Sequence, residues 1–136
     1  MTKGILALAA AAAVLAIPVA ASGDAVKAKR GDNFQIRFTL KSNAQGEPIA
    51  LKRFRFRKLS ATCNGGVTRE LRGRFPSIKV NDRRRFSESV HRNGKHVRVK
   101  GRVSRDLDKV RGTLRARGAF AGATGCDSGR EQWVAR

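Results

Sequence analysis

The chain has no tyrosine and little of what enzyme sites are usually built from. Its 136 residues include two His, two Cys, one Trp, one Met and only 10 Asp and Glu. A hydrolase triad needs a nucleophile, a His and an orienting acid held together. Here His91 and His96 flank an Asn-Gly pair instead, with no nucleophile motif beside them. The Gly-x-Ser-x-Gly elbow of serine hydrolases does not occur. Nothing in the context of the acids singles out a carboxylate pair for glycoside chemistry. These shortages point away from an enzyme. A facing pair of His could hold Zn²⁺ or Ni²⁺ weakly. The sequence offers no third ligand nearby, so exposed imidazoles on a sheet face are the plainer reading. No metal or cofactor is expected.

The shortage of acid is the stronger signal. Thirty Lys and Arg stand against those 10 carboxylates, for a formal charge of +20. Such a charge opposes compaction by self-repulsion and attracts polyanions. Arg outnumbers Lys by 20 to 10. The guanidinium binds phosphate and carboxylate as a planar fork, which suits anion contact. A genome rich in G and C would also favour Arg over Lys, but it would not remove the acids.

The only long apolar run is at the start. Lys3 precedes an almost unbroken stretch of Ala, Leu and other apolar residues over 4–16, Pro18 ends it, and Val19-Ala20-Ala21 supplies the small residues read by a signal peptidase. Residues 1–21 are read as a signal peptide, cleaved after Ala21 or at a neighbouring bond. The rival is an uncleaved anchor, because 4–21 is borderline in length for spanning a membrane. No Cys follows the run, which argues against a lipoprotein. Cleavage would remove Lys3 and no acid, leaving 29 cations, 10 acids and a charge of +19. The compartment expected is extracellular or the cell envelope. There the only two cysteines, Cys63 and Cys126, should form a disulfide. The chain-entropy model values a loop of that length at about 4 kcal/mol.

From Asn33 onward the apolar rhythm has period two. Phe34, Ile36, Phe38 and Leu40 alternate with polar residues, as in a half-buried strand. Phe54 and Phe56 alternate with Arg53, Arg55 and Arg57. Leu59, Ala61 and Cys63 resume the pattern one residue out of step, which predicts a bulge near Lys58. Val67, Leu71 and Phe75 share a parity opposed to Arg72 and Arg74. Pro76 interrupts before a short strand at Ile78 and Val80. Asn93-Gly94 is the preferred two-residue hairpin turn. Its register would pair Arg92 with Lys95, His91 with His96, Val90 with Val97 and Phe86 with Gly101. It would also set Glu88 against Val99 on the inner face, calling for a bulge or a nearby cation. Val97, Val99 and Val103 alternate with Arg98, Lys100 and Arg102. Val110, Leu114 and Ala116 alternate with Arg111, Arg115 and Arg117. Residues 118–125 read as a glycine-alanine loop, followed by a last strand with Trp133.

About eight short strands without a convincing helix after residue 21 mean an antiparallel β-sandwich or a small barrel, the sandwich being favoured. A membrane barrel is excluded because its outer face would be Arg. The expected organisation is a signal peptide over 1–21, a basic linker over 22–32 and one all-β domain over 33–136.

Phe54-Arg55-Phe56, Cys63, Pro76-x-Ile78-x-Val80, Phe86-Ser87, Val97-x-Val99-x-Gly101, Gly112-x-Leu114, Cys126-x-Ser128-Gly129 and Trp133-x-Ala135 together resemble a loose group of exported proteins of high-GC Gram-positive bacteria. The resemblance covers most of 33–136. It implies a β-sandwich with a Cys–Cys bridge. Its shared positions are core and turn residues, so it transfers no activity and no site.

Two functions remain. The first is a non-enzymatic binder of extracellular polyanions: cell-wall polymer, acidic polysaccharide, an anionic surface or extracellular DNA. Its contact residues would be Arg53, Arg55, Arg57, Arg72, Arg74, Arg83, Arg84, Arg85, Arg98, Lys100, Arg102, Arg111, Arg115 and Arg117. The second is an exported structural domain whose charge only solvates it, with a protein partner at a loop such as 42–48 or 118–125. A secreted inhibitor or toxin-like module is a residual class, since no reactive loop stands out.

Overall fold

The computed structural model describes residues 24–26 and 34–136. The expected leader, 1–21, lies outside them, as does most of the expected linker. Nine strands occur among the described residues: β1 (Asp24–Val26), β2 (Gln35–Ser42), β3 (Pro48–Thr62), β4 (Thr68–Lys79), β5 (Arg85–Arg92), β6 (Lys95–Val103), β7 (Val110–Phe120), β8 (Ala123–Asp127) and β9 (Glu131–Ala135). One 3-10 turn, Asn64–Gly66, joins β3 to β4. Every pairing is antiparallel. The all-β fold expected from the period-two rhythm is what the chain adopts.

The strands form one curled sheet. β1, β2, β3 and β4 pair in that order, and β5, β6 and β7 pair in theirs, with β9 and β8 sharing the far side of β7. The two groups face each other across the core. They meet at a single backbone pair, Thr62 with Asp127, beside the disulfide between Cys63 and Cys126. Asn64 Nδ2 adds a bond to Thr124 Oγ1 at 3.1 Å on the same seam.

The core is aromatic at its centre. Phe54 stacks on Phe38 at 5.6 Å and meets Phe75 and Trp133 edge-on, each also at 5.6 Å. Trp133 belongs to β9 and Phe38 and Phe54 to the opposite layer, so the indole ties the layers together. Each such ring pair contributes about 0.5–1.5 kcal/mol beyond its area. Gly101 and Gly112 pair across β6 and β7, and Phe86 and Trp133 roof them. A Cβ at either glycine would lie 2.8 Å from the ring above it. Closer still to those Cβ positions are backbone carbonyls of the adjacent strand, of Arg111 beside Gly101 and of Lys100 beside Gly112. Bare backbone is therefore required by the neighbouring strand as well as by the rings.

The Asn93-Gly94 register is the one expected: His91 opposes His96, Phe86 opposes Gly101 and Glu88 opposes Val99, with no bulge. Glu88 sits half-buried at this sheet edge and accepts from the Ser89 amide at 3.3 Å. The expected bulge is present between Phe56 and Leu59, with Lys58 at φ 60°. Pro76 does not end a strand. β4 runs through it: β4 pairs with β3 alone, and an edge strand has an open side on which a missing N–H costs no ladder bond. The stretch read as a glycine-alanine loop, 118–125, is instead the end of β7, a two-residue turn and the start of β8, and β1 forms within the stretch read as linker.

Candidate functional site

The outer face of β5–β6–β7 carries the densest ladder of candidate residues. Four rungs cross it. Arg85, Arg102 and Arg111 align on the first; Ser87, Lys100 and Thr113 on the second; Ser89, Arg98 and Arg115 on the third; His91, His96 and Arg117 on the fourth. The period-two backbone sets this order, since Val97, Val99 and Val103 must point inward. Rungs lie about 6.5–7 Å apart and strands about 4.8 Å apart. A shallow hollow of 120 Å³ lies on this face among His96, Arg98, Lys100, Thr113, Arg115, Arg117 and Arg130.

Asp127 answers Arg115 on this face. Asp127 takes a two-pronged hydrogen bond from Arg115, at 3.1 Å from Nε and 2.7 Å from Nη2. It also accepts from the Gly129 amide at 2.8 Å. The Arg115 bond holds the Asp127 carboxyl below the usual range, against partial burial that would raise it. Arg115 is raised by the same partner. At the hairpin, the His91 and His96 rings stack at 3.9 Å. Partial burial, then His91, Arg117 and Arg98, push the His96 imidazole below its ordinary value. Arg117 Nη2 lies 3.4 Å from His96 Nδ1, so the neutral ring can accept from it. No group of three or more His, Cys, Asp or Glu that could hold a metal occurs among the described residues.

The remaining candidates are elsewhere. Arg55 aligns with Arg37 and Arg74 on the outer face of β2–β3–β4. Arg57 opposes Gln35 there, and Arg72 faces the bulge beside it. Arg53 is the extra residue of a second bulge, at φ 55°. The fourteen candidates therefore do not make one lattice. They divide between the outsides of two layers, with Arg83 and Arg84 at a loop. Sequence reasoning missed Arg37, Arg105, Lys109 and Arg130. Arg37 was legible, since it alternates with Ile36 and Phe38. The other three lie in turns, where no rhythm assigns a face.

The end of the sandwich near Arg83 and Arg84 is built by three turns. In the β2–β3 turn, Asn43 Oδ1 accepts from the amides of Gln45 and Glu47, each at 2.9 Å. In the β4–β5 turn, Asn81 Oδ1 accepts from Arg83 at 2.9 Å and Arg85 at 3.0 Å. Their backbone bonds match as well: Asn43 N to Glu47 O, and Asn81 N to Arg85 O. The β6–β7 turn is one residue longer and uses Ser104 Oγ, which accepts from Asp108 and Lys109. Each turn needs a left-handed residue three places on. The first has Gly46 at φ 78°, the second Arg84 at φ 61° and the third Leu107 at φ 62°.

The chain matches no protein-family model, no curated protein and no solved structure.

Proposed function

We propose that this is an exported, non-enzymatic protein that binds extracellular polyanions through the outer face of β5–β6–β7. Cell-wall polymer, acidic polysaccharide, an anionic surface and extracellular DNA all present the repeating anions such a face would meet. The supporting observation is the ladder of Arg85, Arg98, Lys100, Arg102, Arg111, Arg115 and Arg117, with Asp127 ion-paired to one of them. Like charges side by side on a sheet raise its energy. A polyanion laid across them relieves that repulsion and releases counterions. Guanidinium forks contact phosphate or carboxylate in pairs. The face carries no Phe or Trp between its cations, so contact is to backbone charge and not to bases. Export is supported by the disulfide and by the leader pattern of 1–21.

The cationic rung of Arg37, Arg55 and Arg74 on the other layer favours a second reading, a structural exported domain whose charge only solvates it. One chromatographic comparison separates the two. On heparin or phosphocellulose the protein should elute above about 0.3 M salt, beyond simple screening of a weak field. Reversing Arg98, Lys100, Arg102 and Arg111 to Glu should abolish that retention. Reversing Arg55, Arg57, Arg72 and Arg74 should leave most of it. Early elution of the wild type, or equal loss from both sets, favours the structural reading.

A further inference from the structure

The β4–β5 and β6–β7 turns enclose a cleft at one end of the cationic face. Its volume is 570 Å³, within the range of about 300–1,000 Å³ typical of small-molecule sites. Arg83, Arg84, Arg85, Arg102, Arg105 and Arg111 line it together with Lys109. Two carboxylates, Asp106 and Asp108, share the lining. Asp106 is already committed to its own turn: Oδ1 accepts from Ser104 Oγ at 2.7 Å and from the Asp108 amide at 3.0 Å. The Ser104 and Asp108 hydrogen bonds, and after them the nearby charge of Lys109, hold the Asp106 carboxyl below its usual range. Six forks and an ammonium thus line a concavity with two carboxylates among them, an excess of five positive charges (seven cations less two acids).

Arg84 makes the cleft more than a crowded surface. It occupies the left-handed position that the matching β2–β3 turn gives to Gly46. A side chain there is strained where glycine is not. Arg84 is also half-buried, and its Nε donates to the Val103 carbonyl at 3.3 Å, which fixes the guanidinium at the cleft. The turn would close more easily on glycine, yet it holds a guanidinium between this cleft and a smaller neighbouring hollow that Asn81, Asp82 and Arg105 also line.

We propose that this cleft binds a compact, multiply charged phosphate: a condensed phosphate chain, or the phosphomonoester end of a longer polymer. A single phosphate would leave most of the volume and charge unmatched, whereas adjacent tetrahedral oxyanions would engage several forks at once. This goes beyond the flat-face reading by giving the surface a defined end site.

The probe is inorganic tripolyphosphate, titrated calorimetrically into the oxidised protein at fixed ionic strength, with sulfate as the control. Saturable one-to-one binding of tripolyphosphate, well above that of sulfate, is expected. The double variant Arg83→Ser/Arg105→Ser should weaken it about tenfold, the effect of losing charge-assisted donors. Arg57→Ser/Arg74→Ser removes the same charge from the other layer and should change it less than about twofold, as screened distant charges do. Arg84→Gly should melt higher than the wild type and bind tripolyphosphate several-fold more weakly. An oligonucleotide with and without a terminal phosphate then separates the two sources. A preference for the phosphorylated end points to a polymer terminus, and indifference with tight tripolyphosphate binding points to free condensed phosphate. Absence of saturable binding, equal weakening by both double variants, or an unchanged affinity in Arg84→Gly would overturn the cleft. Heparin retention by the same wild-type sample shows whether the flat-face reading survives that outcome.

Discussion

Ser128 is the buried polar side chain of the core, and its hydroxyl is fully used. Oγ accepts from the Ala116 amide at 2.9 Å and donates to the Gly129 carbonyl at 2.8 Å. The strand pairing of β7 changes partner here, from β9 to β8, and the hydroxyl stands in for the missing ladder bond. Ser128→Ala leaves a buried amide unsatisfied, which costs about 1–3 kcal/mol. Urea unfolding should show that loss as a lower midpoint at an unchanged slope. Trp133 presents the reverse case. Its indole Nε1 is buried without a partner, so Trp133→Phe removes an unpaired donor while it removes ring volume. The two effects oppose, and the net loss should stay below about 1.5 kcal/mol, against about 3–5 for Trp133→Ala. The same urea titration reads both.

At the scale of the element, the paired glycines of β6 and β7 show how packing decides residue choice. Gly101 and Gly112 lie mid-strand, where glycine lowers strand stability through entropy. They persist because the Arg111 and Lys100 backbone carbonyls, together with the Phe86 and Trp133 rings, fill the space their side chains would take. Gly101→Ala and Gly112→Ala should each cost about 3 kcal/mol or more, since the added methyl meets the adjacent strand's backbone as well as a ring. A strand-propensity argument predicts a gain instead, so the sign of the change in melting temperature decides between them. Elements of this kind were legible in the sequence. The Asn93-Gly94 turn fixed a register, the register placed Phe86 over Gly101, and a slipped apolar rhythm marked the bulge at Lys58. Less could be read where pairing is set from a distance. Pro76 looks like a strand end until β4 is known to pair on one side only. The 118–125 stretch looks like a loop because β8 is defined by its partner β7 and by the disulfide, not by its own residues. For the cleft, Asn81 and Ser104 are ordinary turn residues in sequence. Only the up-and-down order of the strands brings their turns to the same end and sets Arg84 beside Arg105. The hairpin also carries a pH dependence. The folded state depresses His96, so the unfolded chain takes up the proton first as the pH drops. Stability should therefore fall from the unfolded value near 6.5 downward, until the folded ring is itself charged. His96→Gln should flatten thermal melts between about pH 7 and 5. A wild type equally stable across that window would remove His96 from the account.

For the molecule as a whole, charge and fold pull against each other, and salt measures the balance. At about 4.8 Å across strands, two like charges in water repel by up to about 0.9 kcal/mol before screening. Arg102 beside Arg111, Arg98 beside Arg115, and Arg55 beside Arg74 are such neighbours on the two outer faces. An opposing term is the ion pair of Arg115 with Asp127, whose side chains are 43% and 41% exposed. An exposed pair of that kind is worth about 0–1 kcal/mol. Repulsion outweighs it by number of contacts, so screening should stabilise the fold. Raising NaCl from about 0.02 to 0.5 M shortens the Debye length from well above 10 Å to below 8 Å. The melting temperature should then rise by several degrees, at about 4–8 °C per kcal/mol for a domain of this size. Polyanion retention must move the other way, because each released counterion makes binding weaker as salt increases. A melting temperature that falls with NaCl would mean that attractive pairs dominate the surface. The ladder would then hold no repulsion for a polyanion to relieve, and the energetic reason for placing the ligand on β5–β6–β7 would be gone.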